Sequence, residues 1–76
     1  MTAYNGHKNW NHWNVALWIN NDESLYRLAK DCVAEHKGRA AQAAAMRAIL
    51  HEDGATRTPD GAPYSLSSIR AAMVEM

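Results

Sequence analysis

The chain has 76 residues, and its eight Lys+Arg balance eight Asp+Glu to a formal net charge of zero. A chain of this length makes one domain with a small core, and the charge balance removes the electrostatic basis for non-specific attraction to nucleic acid or membrane surfaces and for DNA mimicry. Cys32 is the single cysteine, which excludes a disulfide-stapled secreted scaffold and fits a reducing cytoplasm.

The opening Met1-Thr2-Ala3-Tyr4 lacks the basic-then-apolar order of a signal peptide, and the longest apolar run, Val15 to Ile19, is far short of the roughly 20 residues that cross a bilayer. The expectation is a monomeric cytoplasmic miniprotein, a single domain over residues 1–76 with no internal repeat. Residues 1–8 contain the turn dipeptide Asn5-Gly6 and read as an arm pinned by Tyr4. Every asparagine and every tryptophan of the chain falls between Asn5 and Asn21. Over Asn9 to Ile19 two periodicities compete. A helix puts Trp10, Trp13 and Leu17 on one stripe with Val15 and Ile19 opposite; a strand alternates Trp13, Val15, Leu17 and Ile19 with Asn14, Ala16 and Trp18. The helix is favoured, because Asn9 or Asn11 can cap it and no turn supplies a partner strand. Apolar on two sides, it would be central and buried.

A second helix is plain. Asn21, Asp22, Glu23 and Ser24 supply caps and first-turn acids, and Leu25, Leu28, Ala29, Cys32 and Val33 form a stripe. His36 and Lys37 suit its last turn and Gly38 its C′ position. From Arg39 to about Glu52 an alanine-rich helix has Ala40, Ala44, Met46, Ile49 and Leu50 as its apolar set, closed by Asp53-Gly54. Pro59-Asp60-Gly61 is a turn, flanked over residues 56–64 by a minimal hairpin whose prolines bar it from a sheet centre. Ser65 is a cap for a last helix from Leu66 to Met76, with Leu66, Ile69, Met73 and Met76 on one face. The predicted fold is mainly α: three to four helices over 9–53 and 65–76, with a hairpin or turn over 54–64.

The Trp/Asn run has two readings. Trp13 and Trp18 can fill the core of a chain that has no Phe, their neighbouring asparagines pinning backbone. Alternatively Trp10 stays exposed and joins Tyr4 and His7 in a partner-binding patch, since interface hot spots favour Trp and Tyr. An acidic patch of Asp22, Glu23, Asp31 and Glu35 on the outer face of the second helix is the other partner-binding candidate; the plain alternative is a solvated face paired with Arg27 and Lys30. Cys32 and His36 stand four apart on one helix, and His7, His12 and His51 supply further imidazoles, but no pair has zinc-motif spacing. No metal or other cofactor is expected. There is no Gly-rich phosphate loop, the acidic pairs Asp22-Glu23 and Glu52-Asp53 sit at helix ends, and a Cys–His nucleophile needs a pocket that so small a chain hardly affords. An enzyme is not expected.

Two resemblances add to this. The segment Gly54, then Thr58-Pro59-Asp60-Gly61-Ala62-Pro63-Tyr64-Ser65, then Ser68-Ile69-Arg70, resembles the helix, turn and helix that follow the catalytic domain of large serine recombinases. That implies Ser67, Ser68 and Arg70 as DNA contacts from a major-groove helix, with Arg57 of the preceding turn segment as a further contact, although Asp60 stands where those turns are usually basic. The N-terminal run Tyr4-Asn5-Gly6-His7-Lys8-Asn9-Trp10, then Trp13-Asn14-Val15-Ala16-Leu17-Trp18-Ile19 and Asn21-Asp22-Glu23 with Leu25-Tyr26, is similar to a family of small phage- and prophage-encoded proteins. That family, or a close relative, includes an anti-CRISPR protein of type I systems, of the I-C subtype. The resemblance implies a stoichiometric inhibitor that docks on a Cas protein of the effector complex (Cascade) and blocks target DNA; it carries no family site residues to this chain. A small DNA-binding regulatory phage protein is the alternative.

Overall fold

In a computed structural model, which describes residues 7–74 and 76, four helices follow one another: α1 Trp10–Asn21, α2 Glu23–Glu35, α3 Arg39–Glu52 and α4 Leu66–Ala72. The mainly α reading of the sequence holds. The Asn9–Ile19 ambiguity resolves to helix for the reason given by its cap: extended Asn9 accepts the His12 N–H on its side chain at 3.0 Å. Asp22 alone joins α1 to α2. Its N–H closes α1 on the Trp18 carbonyl at 2.9 Å, while its carboxylate opens α2 by accepting the Leu25 N–H at 3.0 Å.

α2 buries Ala29 and Cys32 and half-buries Leu25, Leu28 and Val33, the stripe its spacing predicts. Its end differs from expectation. The helix stops at Glu35, His36 is extended, and Gly38 is the N-cap of α3 at φ 86° rather than a C′ residue. The reason is Gln42, buried in α3, whose amide donates to the His36 and Val33 carbonyls at 2.9 and 3.3 Å and so does the work of a glycine turn. The far end of α3 does close on glycine. Gly54, at φ 82°, donates to the His51 carbonyl and Ala55 to that of Leu50, a Schellman pair.

The inward face of α3 is Gln42, Ala43, Met46 and Leu50, whereas Ala40, Ala44 and Ile49 are exposed, against the expected set. Alanines favour helix without saying which side faces in. The 56–64 segment is a hairpin only in outline, a single antiparallel bridge between Arg57 and Pro63. Within it the Gly61 N–H reaches the Thr58 carbonyl at 2.9 Å, closing a turn with Pro59 second. α4 is capped by Ser65 as expected, through the Ser68 N–H at 3.2 Å, but ends at Ala72, short of Met76. Its buried residues are Ser68, Ile69 and Ala72, with Met73 just beyond, and Leu66 is exposed.

All four helices meet in one core, where Val15, Ile19, Met46, Ile69 and Met73 are fully buried and the turn adds Ala62 and Tyr64. The expectation that tryptophans fill this core is corrected. α1 turns Asn14, Val15, Ala16 and Ile19 inward. Trp13 and Trp18 are half-buried, and Trp10 and Leu17 are exposed at 37% and 38%. Branched aliphatics pack deeper than indoles here because a small four-helix core has room for Val15 and Ile19 but not for a double ring.

Candidate functional site

Two features distinguish the surface: an aromatic stripe on α1, and the turn that fixes α1 from behind. The turn decides which indole is free. Asp60, second-last residue of the Thr58–Gly61 turn, accepts on Oδ2 from both the Asn14 amide and the Trp18 indole N–H, each at 2.9 Å. Thr58 donates its hydroxyl to Asn14 Oδ1 at 2.6 Å and accepts the Ala62 N–H at 3.0 Å. Both donors stabilise the carboxylate, Asn14 more than Trp18, and hold Asp60 below its ordinary pKa. Asp60 is therefore a structural clasp between turn and α1. Its acidity, which looks like a defect in a DNA-binding turn, is what the clasp requires.

With Trp18 engaged, the outward stripe of α1 consists of Trp10, Trp13 and Leu17. From Trp10 to Asn21 the helix carries no Asp, Glu, Lys or Arg, and His12 is its one ionisable side chain. Asn20 and Asn21 turn their amides back onto the Ala16 and Leu17 carbonyls, each at 2.8 Å. One N–H of each amide is thus bonded within the helix, which fixes both side chains along it. A shallow groove of about 220 Å³ runs beside the stripe, lined by His7, Trp13, Ala16, Leu17, Asn20 and Asn21. The stripe thus sets exposed Trp10 and Leu17 on a helix without Asp, Glu, Lys or Arg.

The other sequence-derived candidates are dispersed. His7 joins Trp13 and Leu17 in that groove, and Trp10 is exposed on the same helix. Tyr4 lies outside the described residues. Asp22 is half-buried, with Oδ1 occupied in capping α2. Glu23 is ion-paired to Arg27 at 2.6 Å, both side chains being about three-quarters exposed. Asp31 and Glu35 are exposed on the same helix, but Glu35 stands roughly 18 Å along the axis from Glu23 at 1.5 Å per residue. The acids thus form a solvated, partly paired face rather than one patch. Lys30, instead of pairing with an acid, places its ammonium 5.9 Å from the Tyr26 ring centroid.

The DNA-binding set fares differently residue by residue. Ser68 is buried against the Ser65 hydroxyl at 3.0 Å, which corrects its assignment as a DNA contact. Ser67 is exposed but lies 2.8 Å from His12 Nε2, tying α4 to α1. Arg57 donates to the Gly61 carbonyl at 3.0 Å. Arg70 is exposed. Among the described residues no three His, Cys, Asp or Glu side chains gather where they could hold a metal. Burial first, then the Glu35 and Asp31 charges, raises the Cys32 thiol, so it is not an activated nucleophile.

Sequence reasoning missed Leu17, Asn20 and Asn21 as site residues and Asp60 as a clasp. The clasp had a signal, since an indole N–H needs an acceptor and Asp60 is the lone acid of the turn. No curated protein and no solved structure matches the chain. A family model matches residues 1–76, the whole length. The chain belongs to that family, DUF7249, a family of unknown function.

Proposed function

We propose that this protein is a phage-type inhibitor that acts by protein–protein contact, docking the outward stripe of α1 on a Cas protein of a type I effector complex and blocking access of target DNA. The observation that carries the docking mode is the exposure of Trp10 and Leu17 beside half-buried Trp13 on a helix with no Asp, Glu, Lys or Arg. Such a face gains little from solvent and much from a dry interface. The choice of partner rests on the resemblance of the Tyr4–Tyr26 run to small phage-encoded proteins, one of them an anti-CRISPR. A molecule with a long axis of 35 Å is large enough to present the roughly 800 Å² per partner of a standard interface.

The test is nuclease-treated co-purification of the tagged protein with a recombinant type I-C effector complex, beside the Leu17→Asp variant. Stoichiometric Cas subunits with the wild type, and their loss with Leu17→Asp, are the expected result. Leu17 is exposed, so the folded state should survive the change, and circular dichroism checks this. Absence of Cas subunits with the wild-type protein refutes the partner; their retention by Leu17→Asp refutes the face.

A further inference from the structure

The tripeptide Asp-Gly-Ala occurs twice in the chain, as Asp53-Gly54-Ala55 and Asp60-Gly61-Ala62. Aspartate before glycine is prone to isomerise, because glycine has no Cβ to hinder attack of its nitrogen on the preceding side chain. The two copies share their backbone setting. Both aspartates and both glycines are exposed, and the glycines have φ 82° and 97°. The attacking nitrogens are matched too, Gly54 donating to the His51 carbonyl at 3.1 Å and Gly61 to the Thr58 carbonyl at 2.9 Å. Asp53 stands at φ -80° and ψ 0°; Pro59 and Gly61 flank Asp60 as in a type I turn, whose third residue takes that same conformation. What separates the copies is the carboxylate. Asp60 is held by the Asn14 amide and the Trp18 indole, each at 2.9 Å, whereas the Asp53 carboxylate has no hydrogen-bond or ion-pair partner among the described residues.

We propose that Asp53 is a site of isoaspartate formation in the folded protein, and that the clasp on Asp60 protects the second Asp-Gly-Ala from the same reaction. The step needs a protonated carboxyl that is free to turn onto the next nitrogen. The Gly54 nitrogen attacks Asp53 Cγ and gives up its proton; the C–N bond forms, the carboxyl hydroxyl leaves as water, and a five-membered succinimide remains. Water adding back at Cγ restores aspartate. Water adding at the α carbonyl instead routes the main chain through the side chain, as isoaspartate. At Asp60 both needs are blocked, since two donors fix the rotamer and favour the ionised carboxylate, whose oxygen is a poor leaving group. The product at Asp53 inserts a methylene into the main chain where the Gly54 and Ala55 N–H groups close α3. It thereby breaks that Schellman end and presents a free α-carboxylate, the group that isoaspartyl-specific protein carboxyl methyltransferases esterify. The site is independent of the α1 stripe and of its target.

The test incubates the intact protein in mildly acidic buffer below its melting transition, beside a sample unfolded in urea. Tryptic cleavage after Lys8, Arg47, Arg57 and Arg70 then puts Asp53, Asp60 and the Asn5-Gly6 pair outside the described residues on three separate peptides. Electron-transfer fragmentation distinguishes isoaspartate from aspartate in each, and methylation by an isoaspartyl-specific methyltransferase with a labelled methyl donor checks the assignment. In the folded sample Asp53 should isomerise at least about ten-fold faster than Asp60, the rate ratio that one hydrogen bond to a charged group is worth. In urea the two rates should converge. Trp18→Phe should raise the Asp60 rate and leave that of Asp53 unchanged, with circular dichroism confirming the fold. Equal rates at the two sites in the folded protein, no isoaspartate at Asp53 while the unfolded sample forms it, or an Asp60 rate unmoved by Trp18→Phe would each overturn the proposal.

Discussion

Asn14 is the residue on which most depends. It is 1% exposed, and its amide donates to Asp60 while its carbonyl oxygen accepts from Thr58. Asn14→Ala should cost about 2–3 kcal/mol, because it strands a buried hydroxyl and removes two bonds at once, as urea denaturation will measure. Asp60 itself is solvent-exposed, so its contribution shows best through pH. Its folded pKa is depressed, so the stability it confers is complete above the ordinary carboxylate value of about 3.9 and is lost as pH falls through the folded value. Asp60→Ala should flatten that acid limb. His12 works in the same sense nearer neutrality. Burial, then the positive charges of Lys8 and His7, hold its imidazole below the ordinary value. Its neutral form is therefore favoured by folding, and stability falls as pH drops below about 6.5 towards the folded pKa. An NMR titration showing a His12 midpoint at or above 6.5 would contradict this.

At the scale of elements, the sequence was most legible where polar spacing and capping coincide. The stripe of α2 and the caps Asn9 and Ser65 follow from residue type alone, because a side-chain oxygen three residues before an amide has one job to do. The facing of α1 and α3 was not legible. An apolar residue on every side of α1 leaves its orientation to volume, and the small core chose Val15 and Ile19 over indoles. Alanine on most faces of α3 leaves no periodicity to read. The C-terminus of α2 misled because His36, Lys37 and Gly38 spell a stop signal, yet a long-range residue, Gln42, satisfies the carbonyls. For the candidate site, Trp10 and His7 were visible as aromatic and polar residues, while Leu17 became a site residue only once Val15 and Ile19 were placed inside. Two substitutions separate these faces. Ile19→Ala should cost about 2–5 kcal/mol as a core cavity, whereas Leu17→Ala should stay within about 0.5 kcal/mol. Thermal melts compare them directly. Gly54→Ala tests the one clean Schellman end. Nothing crowds its Cβ position, so the cost should be the left-handed backbone alone, about 1–2 kcal/mol.

At the scale of the molecule, α1 and α4 lie side by side, joined by the His12–Ser67 contact, with the 55–64 segment crossing back over α1 through the Asp60 clasp. Every helix contributes to one core, so no part can open without exposing buried surface of another. Unfolding should be two-state: helical ellipticity and tryptophan emission should give superimposable urea transitions, and separated midpoints would mean that α4 and the turn detach first. The same arrangement bears on the DNA-binding alternative. Ser68 is interior, Ser67 faces His12 and Arg57 closes its own turn, so Arg70→Ala tests the remaining candidate. An unchanged affinity for duplex DNA in that variant would end the alternative, and a steep salt-dependent loss would revive it.

The Trp18–Asp60 bond also has an optical consequence. One indole of the three has its N–H fixed on a carboxylate at the turn, while Trp10 and Trp13 lie on the outward face of α1. Replacing Trp10 and Trp13 with phenylalanine leaves a chromophore whose emission reports only on the clasp. Replacing Trp18 instead leaves two that a docking partner would shield from acrylamide. The protein therefore carries separate built-in reporters for its internal closure and for the docking face proposed on α1.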